Sequence, residues 1–263
     1  MSDWTKQFFR APVFTPGAPE ALAAAPTEAA AIWRALKLKP GSSLLDLACG
    51  TGRHSVLLAR RGAFVVGVDK TDAYLTEARR ASRKQPNCLF ARGDMRRLPF
   101  KGEFDAAMNL WTSFGYFDKF SDDLKVLKGV ARALKPGGLF LIDLLDFSWV
   151  KKHGQQRRWD LRADGAYLLQ DAVWSEGRDP KIVNVWIVLR PGKPELRSRF
   201  VVRGYDKARL YAAMHLAGLE PVKSWHGLGA LGRLNTGHRL VVLARKPDGL
   251  RTGRSKWFRR RRR

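Results

Sequence analysis

The chain has 263 residues, enough for one domain with a large core. Hydrophobic residues make up 45% of it, and its formal net charge is +25 at pH 7. This apolar fraction excludes a disordered chain, and no apolar run approaches the roughly 20 residues of a membrane-spanning helix. The two cysteines lack the number and spacing of a disulfide framework or a metal site, so we expect neither. The first residues show no basic-then-apolar signal, which favours a cytoplasmic protein.

The positive charge is distributed over the whole chain. Residues 247–263 contain eight Lys or Arg and one acid, a net charge of +7, which leaves +18 for residues 1–246. Blocks of like charge are usually solvated, but arginines beside aromatic residues also suit phosphate groups. For this basic C-terminal tail, two interpretations therefore stay open: a solvated segment and a contact with a polyanion or an anionic membrane.

The N-terminal residues 1–26 are rich in Pro and Ala and have few periodic apolar positions, which predicts a flexible arm. From Thr27 the apolar residues recur at helical spacing, and Pro40 and Gly41 break the chain before the first strand. We predict that the main domain spans residues 27–246.

The first strand leads into a glycine-rich turn. Asp46 lies near the end of a short apolar run, and Gly50 and Gly52 follow it. Two glycines one residue apart let backbone N–H groups approach a ligand, and the turn opens a helix whose N-terminus favours a carboxylate or phosphate. A dinucleotide-binding turn would carry a third glycine where this chain has Ser55. The turn therefore predicts a nucleotide-like ligand that is not a dinucleotide.

Further acids follow apolar segments in the same way. A second strand is predicted at residues 64–69 and ends at Asp69, whose carboxylate is placed to accept hydrogen bonds from ribose hydroxyls. A third strand, at residues 88–93, is closed by Asp94 and Met95. A fourth strand is predicted at residues 104–110. Alternation of such strands with helices indicates a parallel sheet covered on both faces.

The Asp46, Gly50 and Gly52 spacing, the acids after it and the Leu-Lys-Pro-Gly-Gly turn at 134–138 resemble the class I S-adenosylmethionine-dependent methyltransferases. The resemblance covers residues 27–246. It implies an α/β fold, a Rossmann-like sheet of seven mostly parallel strands with helices on both faces and an antiparallel seventh strand. It also implies S-adenosyl-L-methionine as the cofactor, with these residues binding it or bordering it: Asp46, Ala48, Gly50, Gly52, His54, Asp69, Lys70, Asp94, Met95, Asn109 and Leu110.

A β insertion is predicted at residues 150–203, between the fifth strand and the helix at 205–216. Three strand-like runs there are joined by turn sequences rich in Gly and Pro, which indicates a small antiparallel sheet. The resemblance to small-molecule methyltransferases implies that an insertion at this place covers the substrate cavity. A sheet that joins two subunits is the alternative, and the oligomeric state is left open.

The acceptor-facing residues are expected directly after the fourth strand. Trp111, Tyr116 and Phe117 are candidates for the wall of an acceptor pocket, where aromatic faces also steady a cationic sulfonium. Packing in the core or loop is the alternative for each of them. No catalytic base is assigned, because a base is needed only if the acceptor still holds its proton when it attacks.

The segment after the fourth strand lacks the motifs of nucleobase methyltransferases, and this narrows the class of substrate. The chain has Asn-Leu-Trp-Thr at 109–112 instead of the Pro-Pro motif typical of nucleobase amine methyltransferases, and neither cysteine is placed as the thiol of a cytosine C5 enzyme. The resemblance therefore favours methyl transfer to an N or O atom of a small metabolite. The excess of positive charge points to an anionic acceptor, and the alternative is an RNA or other polyanion methyltransferase that uses the basic surface and tail.

Overall fold

The computed structural model describes residues 19–228 and 238–248. Its elements, in chain order, are helix α1 (Pro19–Ala35), β1 (Ser43–Leu47), α2 (Arg53–Arg60), β2 (Phe64–Asp69), α3 (Asp72–Ala81), β3 (Cys88–Arg92), a 3-10 helix (Met95–Arg97), β4 (Phe104–Asn109), α4 (Phe120–Ala133), β5 (Leu134–Leu145), α5 (Phe147–His153), β6 (Arg157–Leu161), β7 (Tyr167–Ser175), β8 (Lys181–Leu189), β9 (Leu196–Arg203), α6 (Lys207–Leu216), β10 (Glu220–Trp225) and β11 (Arg239–Arg245).

The main sheet has seven strands in the order β10-β11-β5-β4-β1-β2-β3. Strands β1 to β5 pair in parallel, whereas β11 runs antiparallel to both β5 and β10. The predicted α/β fold class is confirmed, including the antiparallel last strand. Because the strand order reverses beside β1, ligands are expected in the crevice at the carboxyl ends of the central strands.

Both faces of this sheet are buried, which explains its continuous apolar strands. Successive residues of a strand point to opposite faces, and Leu44 and Leu45 accordingly belong to two different core clusters, as do Leu141 and Ile142. The sheet therefore holds its strand ends, and the residues that follow them, in fixed positions.

The first helix begins at Pro19, eight residues before the predicted start at Thr27. The prediction of a flexible arm is thus wrong for residues 19–26, and residues 1–18 lie outside the described part. Ala21, Ala25 and Ala29 form a buried stripe at helical spacing. The alanines that made this segment look like a flexible arm are therefore residues that pack one face of α1 against the domain.

The predicted insertion is a separate antiparallel sheet with the order β6-β7-β8-β9. Its strands β7, β8 and β9 match the three predicted strands, whereas β6 and the short helix α5 are additions to the prediction. Strand β6 is exposed at all five positions, and its only apolar residues are Trp159 and Leu161, too few for a strand to be predicted from the sequence.

Residues 249–263 lie outside the described part, so both interpretations of the basic tail stay predictions. None of the helices in the described ranges is long and apolar enough to cross a membrane. Within the same ranges, no group of three His, Cys, Asp or Glu side chains is placed to hold a metal ion.

Candidate functional site

A cavity of about 1640 Å³ lies between the carboxyl ends of the parallel strands and one face of the inserted sheet. One half is lined by the glycine turn and by the residues that end β2 and follow β3. The other half is lined by the loop after β4 and by side chains of β7, β8 and β9. A volume above the roughly 300–1,000 Å³ of common ligand pockets provides room for two ligands side by side.

The glycine turn has a backbone that requires its small residues. Ala48, Gly50 and Gly52 all have left-handed conformations, with φ of 55°, 57° and 74°. A Cβ built at Gly52 would lie 2.6 Å from the Phe90 ring, so only glycine fits there. The turn brings backbone groups to the cavity at the start of α2.

Asp69 is positioned by backbone donors. Its carboxylate accepts hydrogen bonds from the N–H groups of Gly50 and Thr71, both at 2.8 Å. Burial raises its pKa, because these donors compensate only part of the desolvation. Hydrogen bonds from the Thr71 side chain and the Lys70 N–H also fix this carboxylate, which lines the cavity at the tip of β2, where the sequence predicts a contact with ribose.

Asp46 is more deeply buried than Asp69 and is paired with a side chain instead of backbone donors. It is 4% exposed, and its carboxylate accepts a 2.5 Å hydrogen bond from the hydroxyl of Ser55. Burial raises the pKa of Asp46 to about 7, and the nearby negative charge of Asp69 adds to this shift. The residue that replaces the third glycine of a dinucleotide turn is therefore the partner of this acid.

Asp94 caps the 3-10 helix and holds Arg96. Its Oδ1 accepts from the backbone N–H of Arg96 at 2.9 Å, and its Oδ2 accepts from Arg96 Nη2 at 2.6 Å. The guanidinium of Arg96 in turn lies 4.6 Å from the centre of the Phe117 ring. This chain of contacts joins the predicted adenine side of the cavity to the loop after β4.

The loop after β4 begins with two strained residues. Trp111 and Thr112 have φ of 57° and 55°, a region that costs non-glycine residues energy. The buried carboxylate of Asp143 accepts from the Trp111 N–H at 3.0 Å, and the Asp143 carbonyl accepts from the Thr112 N–H at 2.9 Å. Arg239 completes this support with a 2.6 Å ion pair to Asp143. Strain that the surrounding structure holds in this way is typical of functional loops.

A second cluster closes the cavity beside the glycine turn. The Nε2 atom of His54 lies 2.7 Å from Oε2 of Glu28 in α1. Burial opposes the ionised form of Glu28, but hydrogen bonds from His54 and Trp111 and the positive charge of Arg53 keep its pKa below the usual value. Arg53 also stacks 4.4 Å from the centre of the Trp111 ring. Helix α1 is thus tied to the site through Glu28, in line with the resemblance, which places this helix near the cofactor.

The other half of the cavity is mainly aromatic. Tyr116 and Trp186 both contact Phe200, with ring centres 6.0 and 5.5 Å apart, and Trp149 and Trp174 line the same region. An apolar wall with few polar groups is typical of a pocket for a small organic molecule.

Polar groups enter this aromatic wall at Gln170, Asn184 and Arg158. The Nε–H of Arg158 donates to Oε1 of Gln170 at 2.5 Å. These side chains come from three neighbouring strands, so the inserted sheet supplies both the apolar surface and the hydrogen-bonding groups of the acceptor half.

Arg203, the last residue of β9, joins the inserted sheet to the loop after β4. Its guanidinium forms 2.5 Å ion pairs with Asp123 and Asp179 and donates to the carbonyls of Phe117 and Asp118. The sequence gives no signal of this connection, because Asp123 is 80 residues away in the chain.

Most of the predicted site residues border the cavity. Lining it are the predicted residues Asp46, Ala48, Gly50, His54, Asp69, Lys70, Asp94, Met95, Leu110, Trp111, Tyr116 and Phe117. Gly52 does not line it and instead lies against Phe90. Asn109 is buried at the end of β4, where its amide donates to the Leu47 carbonyl at 3.0 Å. Their roles in binding stay predictions.

The donor half fits S-adenosylmethionine by its own chemistry. The left-handed turn residues Ala48 and Gly50 line this half together with the carboxylates of Asp46 and Asp69, and carboxylates suit the ribose hydroxyls and the positive charge of this cofactor. A parallel α/β sheet with this turn and this acid defines a nucleoside-binding domain with a neighbouring acceptor cavity.

Comparison with known proteins specifies the family. Residues 44–138 match the family described as a methyltransferase domain. A glycine/sarcosine N-methyltransferase of Halorhodospira halochloris is 32% identical over 193 residues, which are 72% of this chain and 70% of that protein. The chain therefore belongs to the S-adenosylmethionine-dependent methyltransferases, and its cofactor is S-adenosylmethionine.

Two further similarities extend over most of the chain. The dTDP-3-amino-3,4,6-trideoxy-alpha-D-glucopyranose N,N-dimethyltransferase of Streptomyces venezuelae is 27% identical over 71% of this chain and 75% of that protein. The crystal structure of an S-adenosylmethionine-dependent methyltransferase from Clostridium acetobutylicum ATCC 824 has the same fold, with a TM-score of 0.69 at 19% identity over 92% of this chain and 96% of that one. With other curated methyltransferases, the chain spans only about half of their length, 51% of one and 50% of another.

Proposed function

We propose that this protein transfers the methyl group of S-adenosylmethionine to an amine nitrogen of a small molecule. The observation that carries the proposal is a continuous cavity in which a nucleoside-binding half adjoins an aromatic half. Two relatives that match most of the chain are named as N-methyltransferases, one for glycine and sarcosine and one for an amino sugar. Their names support nitrogen over oxygen as the acceptor atom.

The donor half would hold the cofactor through groups already in position. We assign the ribose hydroxyls to the carboxylate of Asp69, the methionine part to the turn around Gly50, and the adenine side to Asp94 and Met95. The bound sulfonium supplies an already activated methyl group. Because that carbon is activated, the residues of this chain mainly orient the two reactants and exclude water.

The acceptor half would orient the amine beside the loop after β4. Trp111, Tyr116 and Phe117 form part of its wall. Burial raises the pKa of the Tyr116 phenol above its usual range, so its hydroxyl stays protonated at neutral pH. Tyr116 therefore orients an acceptor by hydrogen bonding and does not act as a base. The amine is expected to react as its neutral form.

The test is methyl transfer by the full-length protein with a panel of amines. Glycine, sarcosine and a dTDP-linked amino sugar are incubated with S-adenosylmethionine, and the release of S-adenosylhomocysteine is measured together with the mass of the acceptor. Formation of an N-methyl product supports the proposal. Tight cofactor binding without methyl transfer to any amine, or transfer only to RNA, would contradict it.

Cofactor binding has its own matched pair of variants. Asp69→Asn removes the charge at the tip of β2, whereas Asp72→Asn removes the charge of an exposed acid three residues later. Since a hydrogen bond to a charged group contributes about 1.5–3 kcal/mol, Asp69→Asn should weaken cofactor binding by roughly tenfold to a hundredfold. Asp72→Asn should leave it unchanged, as measured by calorimetry.

A further inference from the structure

The aromatic wall of the acceptor half ends in a polar pair on the strands β6 and β7. Strand register places Arg158 opposite Gln170, and Gln170 opposite Trp186. Side chains directly opposite each other in an antiparallel sheet lie on the same face, and all three of these residues line the cavity. A ligand that follows the wall from Trp186 toward the edge of the sheet therefore meets Gln170 and Arg158.

The hydrogen bond within this pair leaves only donors for a ligand. A guanidinium has no acceptor, so the amide oxygen of Gln170 faces the Nε–H of Arg158, at 2.5 Å. Within residues 19–228 and 238–248, the amide NH2 of Gln170 and both Nη groups of Arg158 have no hydrogen-bond acceptor. Gln170 is buried, whereas Arg158 is exposed on the edge strand. Donors with a positive charge and no acceptor suit an oxyanion and repel an ammonium group.

The charge of Arg158 is also without a carboxylate partner in the described part of the chain. The acids that follow it in sequence interact with other cations. Asp164 forms a 2.6 Å ion pair with Arg190, and the charge of Asp160 acts on Arg162. The cavity therefore has a guanidinium that the protein orients by Gln170 but does not neutralise.

We propose that Arg158 and Gln170 bind an acid group, a carboxylate or a phosphate, of the amine that receives the methyl group. A planar guanidinium binds either group through two parallel hydrogen bonds. The position of the amine rests on the proposed function, which places it beside Tyr116. Arg158 would then determine specificity by holding the acceptor at the end away from the reacting nitrogen.

The spacing of the strands sets the length of such an acceptor. Tyr116 contacts Phe200 on β9, with ring centres 6.0 Å apart. The guanidinium of Arg158 is held by Gln170 on β7, two strands from β9. Because neighbouring strands are about 4.8 Å apart, the guanidinium and the amine would lie roughly 10 Å apart. Glycine is too short to reach both positions, whereas a phosphorylated amino sugar or a long-chain amino acid can do so.

Calorimetric titration of the full-length protein saturated with S-adenosylhomocysteine tests this assignment without methyl transfer. The acid probes are 6-aminohexanoate and glucosamine 6-phosphate, and their counterparts without the acid are 6-aminohexanamide and glucosamine. At least one acid probe should bind roughly tenfold more tightly than its counterpart, as expected for a hydrogen bond to a charged group. Which of the two does so distinguishes a carboxylate site from a phosphate site. Glycine and glycinamide should bind equally weakly.

Arg158→Gln should remove this preference. It should weaken binding of the acid probe by roughly tenfold and leave its counterpart unchanged. Arg158→Lys keeps the charge but not the two parallel hydrogen bonds, so it should recover only part of the affinity. Arg157→Gln is the matched control, because this neighbouring side chain is 87% exposed and belongs to the other side of β6. The control should bind every probe as the wild-type protein does, and circular dichroism shows that each variant is folded.

Equal affinity for each acid probe and its counterpart would overturn the role of Arg158, as would an equal loss in Arg158→Gln and Arg157→Gln. The proposed function fails in a different way. Binding of an acid probe through Arg158 without methylation of any amine contradicts only the methyl transfer. Methylation of amines with no preference for an acid group contradicts only the role of Arg158.

Discussion

The two halves of the cavity are built in different ways. The donor half uses strand ends of a parallel sheet, left-handed backbone at the glycine turn, and acids fixed by backbone donors. The acceptor half uses side chains of an antiparallel sheet together with one aromatic loop. The donor site is therefore fixed by backbone geometry. The acceptor site depends on side chains, and these can be substituted without altering the backbone of the sheet.

Within the acceptor half, Arg203 joins the inserted sheet to the loop after β4 and to α4, and its loss should have the largest effect. Arg203→Met leaves Asp123, which is fully buried, without its cationic partner. Breaking a buried ion pair costs about 3–5 kcal/mol. We expect this loss in the free energy of unfolding in urea, and a larger fall in acceptor turnover than in cofactor affinity.

Arg245→Met is the control for that experiment. Arg245 is half exposed and forms a 3.6 Å ion pair with Glu220 at the far edge of the main sheet. Exposed ion pairs contribute about 0–1 kcal/mol, so this variant should retain stability and turnover. Equal losses in the two variants would show that Arg203 has no special connecting role.

A substitution that strains the backbone of the glycine turn should disrupt the donor half. Gly52→Ala forces a left-handed conformation on alanine and brings its Cβ within 2.6 Å of the Phe90 ring. The conformation costs about 1–2 kcal/mol and the overpacking about 1–3 kcal/mol more. We expect a matching drop in the free energy of unfolding and loss of cofactor binding by calorimetry.

Gly102→Ala separates the two causes. Gly102 has a φ of +68°, close to the +74° of Gly52, but a Cβ at Gly102 would have no neighbour within 4 Å. This variant should lose only the conformational part, about 1–2 kcal/mol, and keep cofactor binding. If both variants behave alike, close contact at the glycine turn is not what excludes a side chain.

Because the donor half depends on backbone geometry and the acceptor half on side chains, the sequence predicts the donor half better than the acceptor half. The strands of the main sheet are short apolar runs between turns. The predicted bounds of β2 match the observed ones, because Gly62 lies just before its apolar run and Asp69 ends it. The acids that end these strands follow directly from the topology, since carboxyl ends of parallel strands share one edge. Fold class and the position of most donor-half residues are therefore predictable.

The acceptor half is less predictable for physical reasons. Strand β6 has only two apolar residues among five and is held by pairing with β7, a tertiary effect that the local sequence pattern does not show. The ion pairs of Arg203 with Asp123 and of Arg239 with Asp143 join residues 80 and 96 positions apart. Spacing within a motif carries no information about such pairs.

Asp46 allows a test of the donor half by pH. Its pKa is about 7 in the folded protein against an ordinary value of 3.8, because burial disfavours its charged form. The folded state thus binds the proton more tightly, so the associated stability is present at low pH and is lost as pH rises toward 7. Relative to Asp46→Asn, the wild-type protein should lose about 2–3 kcal/mol between pH 5 and pH 8.

Chemical denaturation of the two proteins at a series of pH values measures this difference. Contributions from other titrating groups cancel in the comparison, provided that the variant keeps its fold by circular dichroism. Asp105→Asn is the control: burial opposes the charged form of Asp105, but Lys135 and Ser43 hold its pKa below the usual value. Its effect should therefore be constant between pH 5 and pH 8. An equally constant difference for Asp46→Asn would show that Asp46 titrates normally in the folded state.

The smallest effect is expected where the halves meet at Trp111. Trp111→Phe keeps an aromatic ring but weakens the stacking with Arg53 and removes the indole hydrogen bond to Glu28. A cation–π contact contributes about 0.5–1 kcal/mol at a partly exposed site. With the lost hydrogen bond, which water partly replaces at this exposed site, stability should fall by about 1–2 kcal/mol, and KM for the acceptor should rise more than kcat falls.

Trp225→Phe is the matched control for Trp111→Phe, because it changes a ring that stacks with Lys223 on β10, away from the cavity. It should alter stability by a similar amount without changing KM. An unchanged KM in Trp111→Phe would place Trp111 on the donor side of the boundary. Tyr116 and Phe117 would then form the acceptor wall without it, and the boundary between the halves would lie after the strained residues of the loop rather than at them.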